Sequence, residues 1–209
     1  MGTLLIMILG FSSVSAREVA LRQDIAFGDD IKYVSTIAEG FDCSVLYHDG
    51  DAENLAYCFD DTSLFNLNTG LYSAHFIDGK VNRVEYRAPL TLVNYNAILA
   101  GLRRQNYVFA KLHVADEKLD VLASLQVLGR QTTDDQMFKL ANRYDLTVHR
   151  EYFFLDNSSF QQASQLGLEN IDAWLLNESS DNSFATTTLV RLYIDGSEIA
   201  LDAYLPFAD

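Results

Sequence analysis

The sequence of 209 residues predicts an α+β fold in which helices pack on one side of an antiparallel sheet. Two segments, FIDGKVNRVEYRAP at residues 76–89 and YIDGSEIALDAYLP at residues 193–206, have the pattern of β-hairpins. Each is preceded by a segment with the apolar spacing of a helix. No linker rich in Pro, Gly or Ser separates the two halves. We therefore expect two tandem helix-plus-hairpin repeats in one layered body.

The two hairpin segments are related by a constant offset along the chain. Aligning Ile77 with Ile194 gives an offset of 117 residues (194 − 77), and the Asp-Gly pair and the proline of each segment then coincide. Upstream, DDIKYVSTIAEGFDCSV (29–45) is similar to DDQMFKLANRYDLTV (134–148) at an offset of 105 residues (134 − 29). Two similarities in the same order indicate an internal duplication, with chance similarity as the alternative.

In each half, apolar residues at helical spacing occur close after an Asp-Asp pair. Asp29 or Asp30 can cap the first helix. The apolar positions of this helix are Ile31, Val34, Ala38 and Phe41. The candidate caps of the second helix are Thr132, Thr133 and Asp134. Its apolar positions are Met137, Phe138, Leu140, Ala141 and Tyr144.

A third helix is predicted between the two halves. Asn94 is its candidate cap, and Arg103 and Arg104 lie near its end, where the helix dipole favours cations. Its apolar positions follow the i, i+3, i+4, i+7 spacing and are Tyr95, Ile98, Leu99 and Leu102. VFAKLHV at residues 108–114 then alternates as a strand. Residues 119–128 fit either a strand or a helix.

Each hairpin is predicted to turn at its Asp-Gly pair, residues 78–79 and 195–196, because Gly adopts positive φ at low cost. Alternation assigns one face of each last strand to the core. The predicted core positions are Val84, Tyr86, Ile199, Leu201, Ala203 and Leu205. The opposite face carries Arg83, Glu85, Arg87, Ala200, Asp202 and Tyr204. Pro89 and Pro206 are predicted to end these strands, since proline cannot donate a ladder hydrogen bond.

The first 16 residues have the pattern of a secretory signal peptide. An apolar run at residues 4–11 is followed by small residues ending at Ala16. This pattern predicts cleavage after Ala16 and a periplasmic or secreted protein, with a buried N-terminal strand as the alternative. The rest of the chain is predicted to divide into a first repeat with its connecting helix and strands, residues 17–124, and a second repeat, residues 125–209.

Cys43 and Cys58 are the only cysteines in the chain. In an exported protein, an even pair close in sequence favours a structural disulfide. Their spacing fits neither a Cys-x-x-Cys redox motif nor a four-ligand zinc pattern. In the chain-entropy model, closing a loop of about 15 residues stabilises a fold by about 3 kcal/mol.

The formal net charge of −14 restricts the class of binding partner. Nucleic acids and anionic membranes bind basic patches, so neither is expected as a partner. A protein partner with a basic surface fits this charge, because opposite charges accelerate encounter. The apolar run at residues 4–11 is too short to span a bilayer, and we expect no transmembrane segment in the mature chain.

The sequence lacks the usual signatures of catalysis. It contains no Gly-x-Ser-x-Gly elbow, no Gly-rich phosphate loop and no His-Glu-x-x-His motif. We therefore expect no enzymatic activity, no cofactor and no metal. The alternative is a small-ligand-binding protein or enzyme with a pocket between the two repeats, using His149, Glu151 or the acidic loop at residues 48–54.

The doubled helix and hairpin, each closing on an aromatic-Ile-Asp-Gly turn, resembles in outline the β-lactamase inhibitor proteins and related small periplasmic modules of outer-membrane assembly. The resemblance covers residues 25–90 and 130–207. The Cys pair occurs only in the first copy, because Leu146 stands where the first copy has Cys43. The resemblance implies a binding module whose sheet face grips another protein, as an inhibitor or an immunity protein. The candidate partner-binding residues project from the repeated hairpins and are His75, Arg83, Glu85, Arg87, Asp202 and Tyr204.

Overall fold

The structure is a computed structural model that describes residues 21–47, 55–176 and 187–206. The predicted signal peptide, residues 1–16, and the acidic loop at residues 48–54 lie outside the described residues. The predicted α+β class is confirmed, since a large antiparallel sheet is combined with helices. No helix in the described ranges is long and apolar enough to cross a membrane.

The elements follow one another in a mixed order along the chain. The strands are β1 (Gly40–Asp42), β2 (Leu55–Leu64), β3 (Leu67–Ile77), β4 (Lys80–Pro89), β5 (Tyr107–Val114), β6 (Glu117–Asp120), β7 (Arg150–Asp156), β8 (Leu189–Asp195) and β9 (Glu198–Tyr204). The helices are α1 (Ile31–Val34), α2 (Leu92–Arg104), α3 (Val121–Asn142), α4 (Asn157–Gln165) and α5 (Ile171–Leu176). These strands form one sheet in the order β1-β2-β3-β4-β9-β8-β7-β5-β6.

The first predicted helix is much shorter than its apolar spacing indicates. Asp30 caps it as predicted, but α1 ends at Val34, and Phe41 lies in β1 instead. The hydroxyls of Ser35 and Thr36 donate to backbone carbonyls of the preceding turn, which competes with helix continuation. Pairing of β1 with β2 then keeps the following residues extended.

The second predicted helix begins earlier than expected. Residues 119–128, which fitted either element, complete β6 and then begin α3 at Val121. Asp120 is the cap, because its side chain accepts from the Ala123 amide. Gly129 has a φ of +74° and kinks the helix. The cap predicted around Thr133 is therefore wrong: Thr133 is buried within α3 and donates to the Gly129 carbonyl.

The cap predicted for the third helix is displaced by three residues. Thr91 caps α2 by accepting from the Asn94 amide at 3.0 Å. Asn94 lies inside the helix, where its side chain donates to the Pro89 carbonyl at 2.8 Å. This bond joins the start of α2 directly to the end of β4.

Helices α2, α3 and α4 pack against one face of the sheet. The core between these layers is aliphatic and aromatic, and its fully buried members include Tyr72, Tyr86, Ile98, Leu122 and Tyr152. The predicted core positions Val84, Tyr86, Ile199, Leu201 and Ala203 are confirmed as buried. Leu205 is the exception, because it follows the end of β9 and is partly exposed.

The two halves meet in the middle of the sheet, where β4 pairs antiparallel with β9. Outward from this pair, β3 and β2 follow on one side, and β8 and β7 follow on the other. Each triplet of strands is preceded by a helix, α1 or α3. Glu85 and Asp202 are separated by the predicted offset (202 − 85 = 117) and also stand directly opposite each other. The two hairpin segments therefore pair with each other in the middle of the sheet, centred on these two residues.

The two Ile-Asp-Gly triplets are not equivalent within this arrangement. The first turn consists of Asp78 and Gly79, both at positive φ, whereas the second consists of Gly196 and Ser197. Because of this shift by one residue, the two isoleucines lie on opposite faces of the sheet: Ile77 is 57% exposed and Ile194 is buried. A bulge between β3 and β4, which leaves Asn82 unpaired, restores the common register beyond it.

Candidate functional site

The sheet face opposite α2, α3 and α4 carries a band of polar and aromatic side chains across β3, β4, β9 and β8. We term this band the polar face; its members are Ser73, His75, Arg83, Glu85, Arg87, Arg191, Tyr193, Asp202 and Tyr204. All six residues chosen from the sequence belong to it. Arg191 and Tyr193 were not predicted as members of this face. They alternate with the buried Leu192 and Ile194, so the same strand alternation would have identified them.

Two carboxylates lie side by side at the centre of the polar face. Glu85 of β4 stands opposite Asp202 of β9, and each side chain is only 1% exposed. Like charges in directly opposite positions repel, and a buried carboxylate is costly without charged or hydrogen-bonding partners. The pair can therefore persist only if surrounding groups neutralise it.

Arg83 neutralises both carboxylates at once. Its Nη2 atom lies 3.3 Å from Oε2 of Glu85 and 3.1 Å from Oδ1 of Asp202. A single guanidinium thus spans the junction between the two halves of the sheet.

Each carboxylate also has partners besides Arg83. Glu85 accepts from Nε of Arg87 and from the hydroxyl of Tyr193, the latter at 3.1 Å. Asp202 accepts from both Nε and Nη2 of Arg191, with Nε at 3.2 Å. Charge-assisted bonds of this kind are about twice as strong as neutral ones, so the network holds its members in defined orientations.

The protonation states of the donors follow from this geometry. Burial and the adjacent Glu85 carboxylate raise the pKa of Tyr193 to about 12, so its hydroxyl remains a donor. Partial burial alone would lower the pKa of Arg87, but the charge and hydrogen bond of Glu85 raise it above the ordinary value.

The arginines of the network remain partly accessible at the surface. The side chains of Arg83, Arg87 and Arg191 are 40%, 36% and 33% exposed. Arg191 also lies 5.0 Å from the ring centroid of Tyr193, within the range of a cation–π contact. The polar face thus presents oriented guanidinium and aromatic groups that are held from beneath by two buried carboxylates.

The expectation that all six residues chosen from the sequence project from the sheet needs correction. Glu85 and Asp202 are covered by the longer side chains around them, and His75 is largely covered as well. They support the surface from within. Arg83, Arg87 and Tyr204 remain as accessible members of the predicted set.

The cover over His75 comes from the disulfide segment. The predicted disulfide between Cys43 and Cys58 is present, and it attaches residues 43–47 to β2 on the polar side of the sheet. The Tyr47 ring then meets the His75 ring edge-on, with centroids 4.6 Å apart. Burial, reinforced by the positive charge of Arg83, lowers the pKa of His75 to about 4. His75 is therefore neutral at pH 7, so its 3.8 Å approach to Glu85 is not an ion pair.

The alternative catalytic residues lie at the margin of the polar face. Glu151 is 3.7 Å from Nη1 of Arg191 and 3.8 Å from Nδ1 of His113. The His113 and His149 rings are 6.3 Å apart, and His149 is exposed. Across the part of the chain that the structure describes, no group of three or more His, Cys, Asp or Glu side chains is placed to hold a metal ion.

Comparisons of the chain with protein-family models, with curated proteins and with solved structures find no match. The functional interpretation therefore depends on the residues themselves.

We predict energetic coupling between Arg83 and the two carboxylates. Arg83→Gln should lower the free energy of unfolding by about 2 kcal/mol, less than for a fully buried pair because Arg83 is partly exposed. In an Asp202→Asn background the same change should cost about 1 kcal/mol less, since the like-charge repulsion is gone. Urea unfolding of the four proteins of this cycle measures the difference.

Arg104→Gln is the matched control, because Arg104 is exposed and has no ion pair among the described residues. It should change the stability by less than about 0.5 kcal/mol. Additive effects of Arg83→Gln and Asp202→Asn would contradict the shared network.

We also predict a specific pH dependence from His75. Its folded pKa of about 4 lies below the unfolded value of 6.5, so the unfolded chain binds more protons between these values. Stability should therefore fall as the pH drops from about 7 to about 4, by about 3 kcal/mol at 1.36 kcal/mol per pKa unit. Comparing urea unfolding of the wild type and His75→Gln across this range isolates the effect. Parallel profiles for the two proteins would refute it.

Proposed function

We propose that this protein is an exported, non-enzymatic binding module whose polar face grips another protein, as an inhibitor or an immunity protein. The observation that carries the proposal is the set of partly exposed Arg83, Arg87, Arg191 and Tyr193 side chains anchored on Glu85 and Asp202. Arginine and tyrosine are the residue types that contribute most to binding at protein interfaces. Side chains already held in place lose less entropy on binding, which favours affinity.

The distribution of charge supports a partner with a basic surface. Three arginines of the polar face are balanced by Glu85, Asp202, Glu151 and Glu198, so the face itself is close to neutral. Most of the net charge of −14 therefore lies elsewhere on the molecule. Such a field would accelerate the approach of a basic partner from a distance, while local contacts on the polar face determine the fit.

Two further features agree with this proposal. The disulfide suits an oxidising compartment outside the cytosol, as the predicted signal peptide requires. The proposal also includes the outline resemblance to the β-lactamase inhibitor proteins. That resemblance implies binding through a sheet face and does not name the partner.

Affinity capture from a periplasmic or secreted fraction tests the proposal. Tyr204→Ser removes an aromatic anchor, and Glu198→Arg reverses a charge at the rim, where Glu198 is 50% exposed. Each change should weaken binding of the captured protein about tenfold, as expected for interface anchors and rim charges near a binding centre. Biolayer interferometry with the purified partner gives the affinities.

Glu169→Arg is the matched control, because it makes the same charge change at an exposed position near α5. It should bind like the wild type, and thermal unfolding should show that all variants remain folded. Unchanged affinity for both Tyr204→Ser and Glu198→Arg, or an equal loss in Glu169→Arg, would exclude the polar face as the binding surface.

A further inference from the structure

A groove opens on the other side of the sheet, between α2, α3 and α4 and above β5 and β7. Its volume is about 1160 Å³. This is slightly above the range of about 300–1000 Å³ that is typical of small-molecule sites. The groove is separate from the polar face, since it lies on the opposite side of the sheet and shares no residue with it.

The floor of the groove is apolar. Phe154 and Phe160 are buried within it, while Phe109 of β5 is only partly covered. Leu125 and Met137, from the two segments of α3, flank the floor and are also partly exposed. Outside the groove, Tyr152 and Leu192 on the same face of the sheet are fully buried. The helices thus leave a stretch of apolar surface that a ligand could cover.

The rim of the groove is cationic in a strongly acidic protein. Arg103, Arg104 and Arg130 line it, and Asp134 is the one acidic side chain among the described lining residues. Asp134 lies 3.8 Å from Arg130. Arg103 and Arg104 are exposed and have no ion pair in the described part of the chain. By contrast, Lys111 and Arg143, like the arginines of the polar face, pair with carboxylates.

We propose that this groove binds a single-chain amphiphile with an anionic head group. The alkyl chain would lie along Phe109, Leu125 and Met137, whose partly exposed apolar surface it would remove from water. The carboxylate or phosphate head would meet Arg103 and Arg104, whose planar guanidinium groups match both kinds of oxyanion. The apolar floor suits an alkyl chain, and two rim arginines without an ion pair in the described ranges suit an anionic head group.

Calorimetric titration of the full chain with dodecyl compounds below their micelle concentrations tests the proposal. Dodecanoate and dodecyl phosphate carry the two anionic heads, dodecanol is neutral and dodecyltrimethylammonium is cationic. The anionic compounds should bind saturably with one molecule per chain, at least tenfold more tightly than the cationic one. The preference between dodecanoate and dodecyl phosphate distinguishes a carboxylate from a phosphate head.

Arg103→Gln with Arg104→Gln should weaken binding of the anionic compounds about tenfold and leave dodecanol binding unchanged. Both side chains are exposed, so the double variant should remain folded. Lys118→Gln with Lys139→Gln removes the same charge from exposed sites that do not line the groove. This control should bind like the wild type. In NMR spectra, the Met137 methyl signal should shift on binding.

Several results would overturn the proposal. These are the absence of saturable binding, equal affinity for the cationic compound, an equal loss of affinity in the lysine control, and an unshifted Met137 signal. Saturable binding of an acidic amphipathic helical peptide, together with failure of the dodecyl compounds, would also overturn it by showing that a protein helix occupies the groove.

Discussion

The burial of Glu85 beside Asp202 constrains the structure more than any other interaction described above. Two carboxylates in opposite positions on neighbouring strands would drive those strands apart if they were not neutralised. Their position also fixes the register of β4 and β9, because a shift by one residue would turn either carboxylate toward the core. The junction between the two halves of the sheet is therefore specified by charge as well as by apolar packing.

Neutralising this pair has consequences for the surface above it. Arg83, Arg87 and Arg191 must remain in contact with the carboxylates, so partly exposed side chains lose the freedom that exposed arginines normally retain. Tyr47 adds cover at one edge because the disulfide holds its segment against β2. Arg103 and Arg104 differ from these arginines, because their charges are exposed and form no ion pair in the described ranges. Paired arginines suit a preformed protein-binding surface, whereas unpaired ones are available to an anionic ligand.

Sequence patterns predicted the strands of this fold better than its helices. Alternation separated Val84 and Tyr86 from Arg83 and Glu85 correctly, because a strand repeats every two residues whatever its neighbours are. The helix expected beyond Val34 failed because β1 pairs with β2 there, a tertiary contact that local spacing does not contain. The predicted α3 cap failed because α3 begins at Val121 with Asp120 as its cap, and Thr133 lies inside the segment that follows the kink at Gly129.

The sequence predicted which residues share the face of the candidate site, but not how deeply each of them is buried. Alternation placed His75, Arg83, Glu85, Arg87, Asp202 and Tyr204 on one face, yet it could not show that Glu85 and Asp202 are buried. Their burial depends on Arg191 and Tyr193 of β8, which are distant in sequence from β4. The matching Ile-Asp-Gly triplets were also misleading in detail, because the bulge at Asn82 shifts one turn relative to the other.

The central claim is that the buried carboxylates hold the arginines of the polar face rigid. NMR relaxation of the arginine Nε–H groups measures this directly, with Arg103 and Arg104 as mobile references in the same protein. The account predicts order parameters for Arg87 and Arg191 approaching about 0.85, against values below about 0.6 for the references. Equal mobility of the two groups would contradict it.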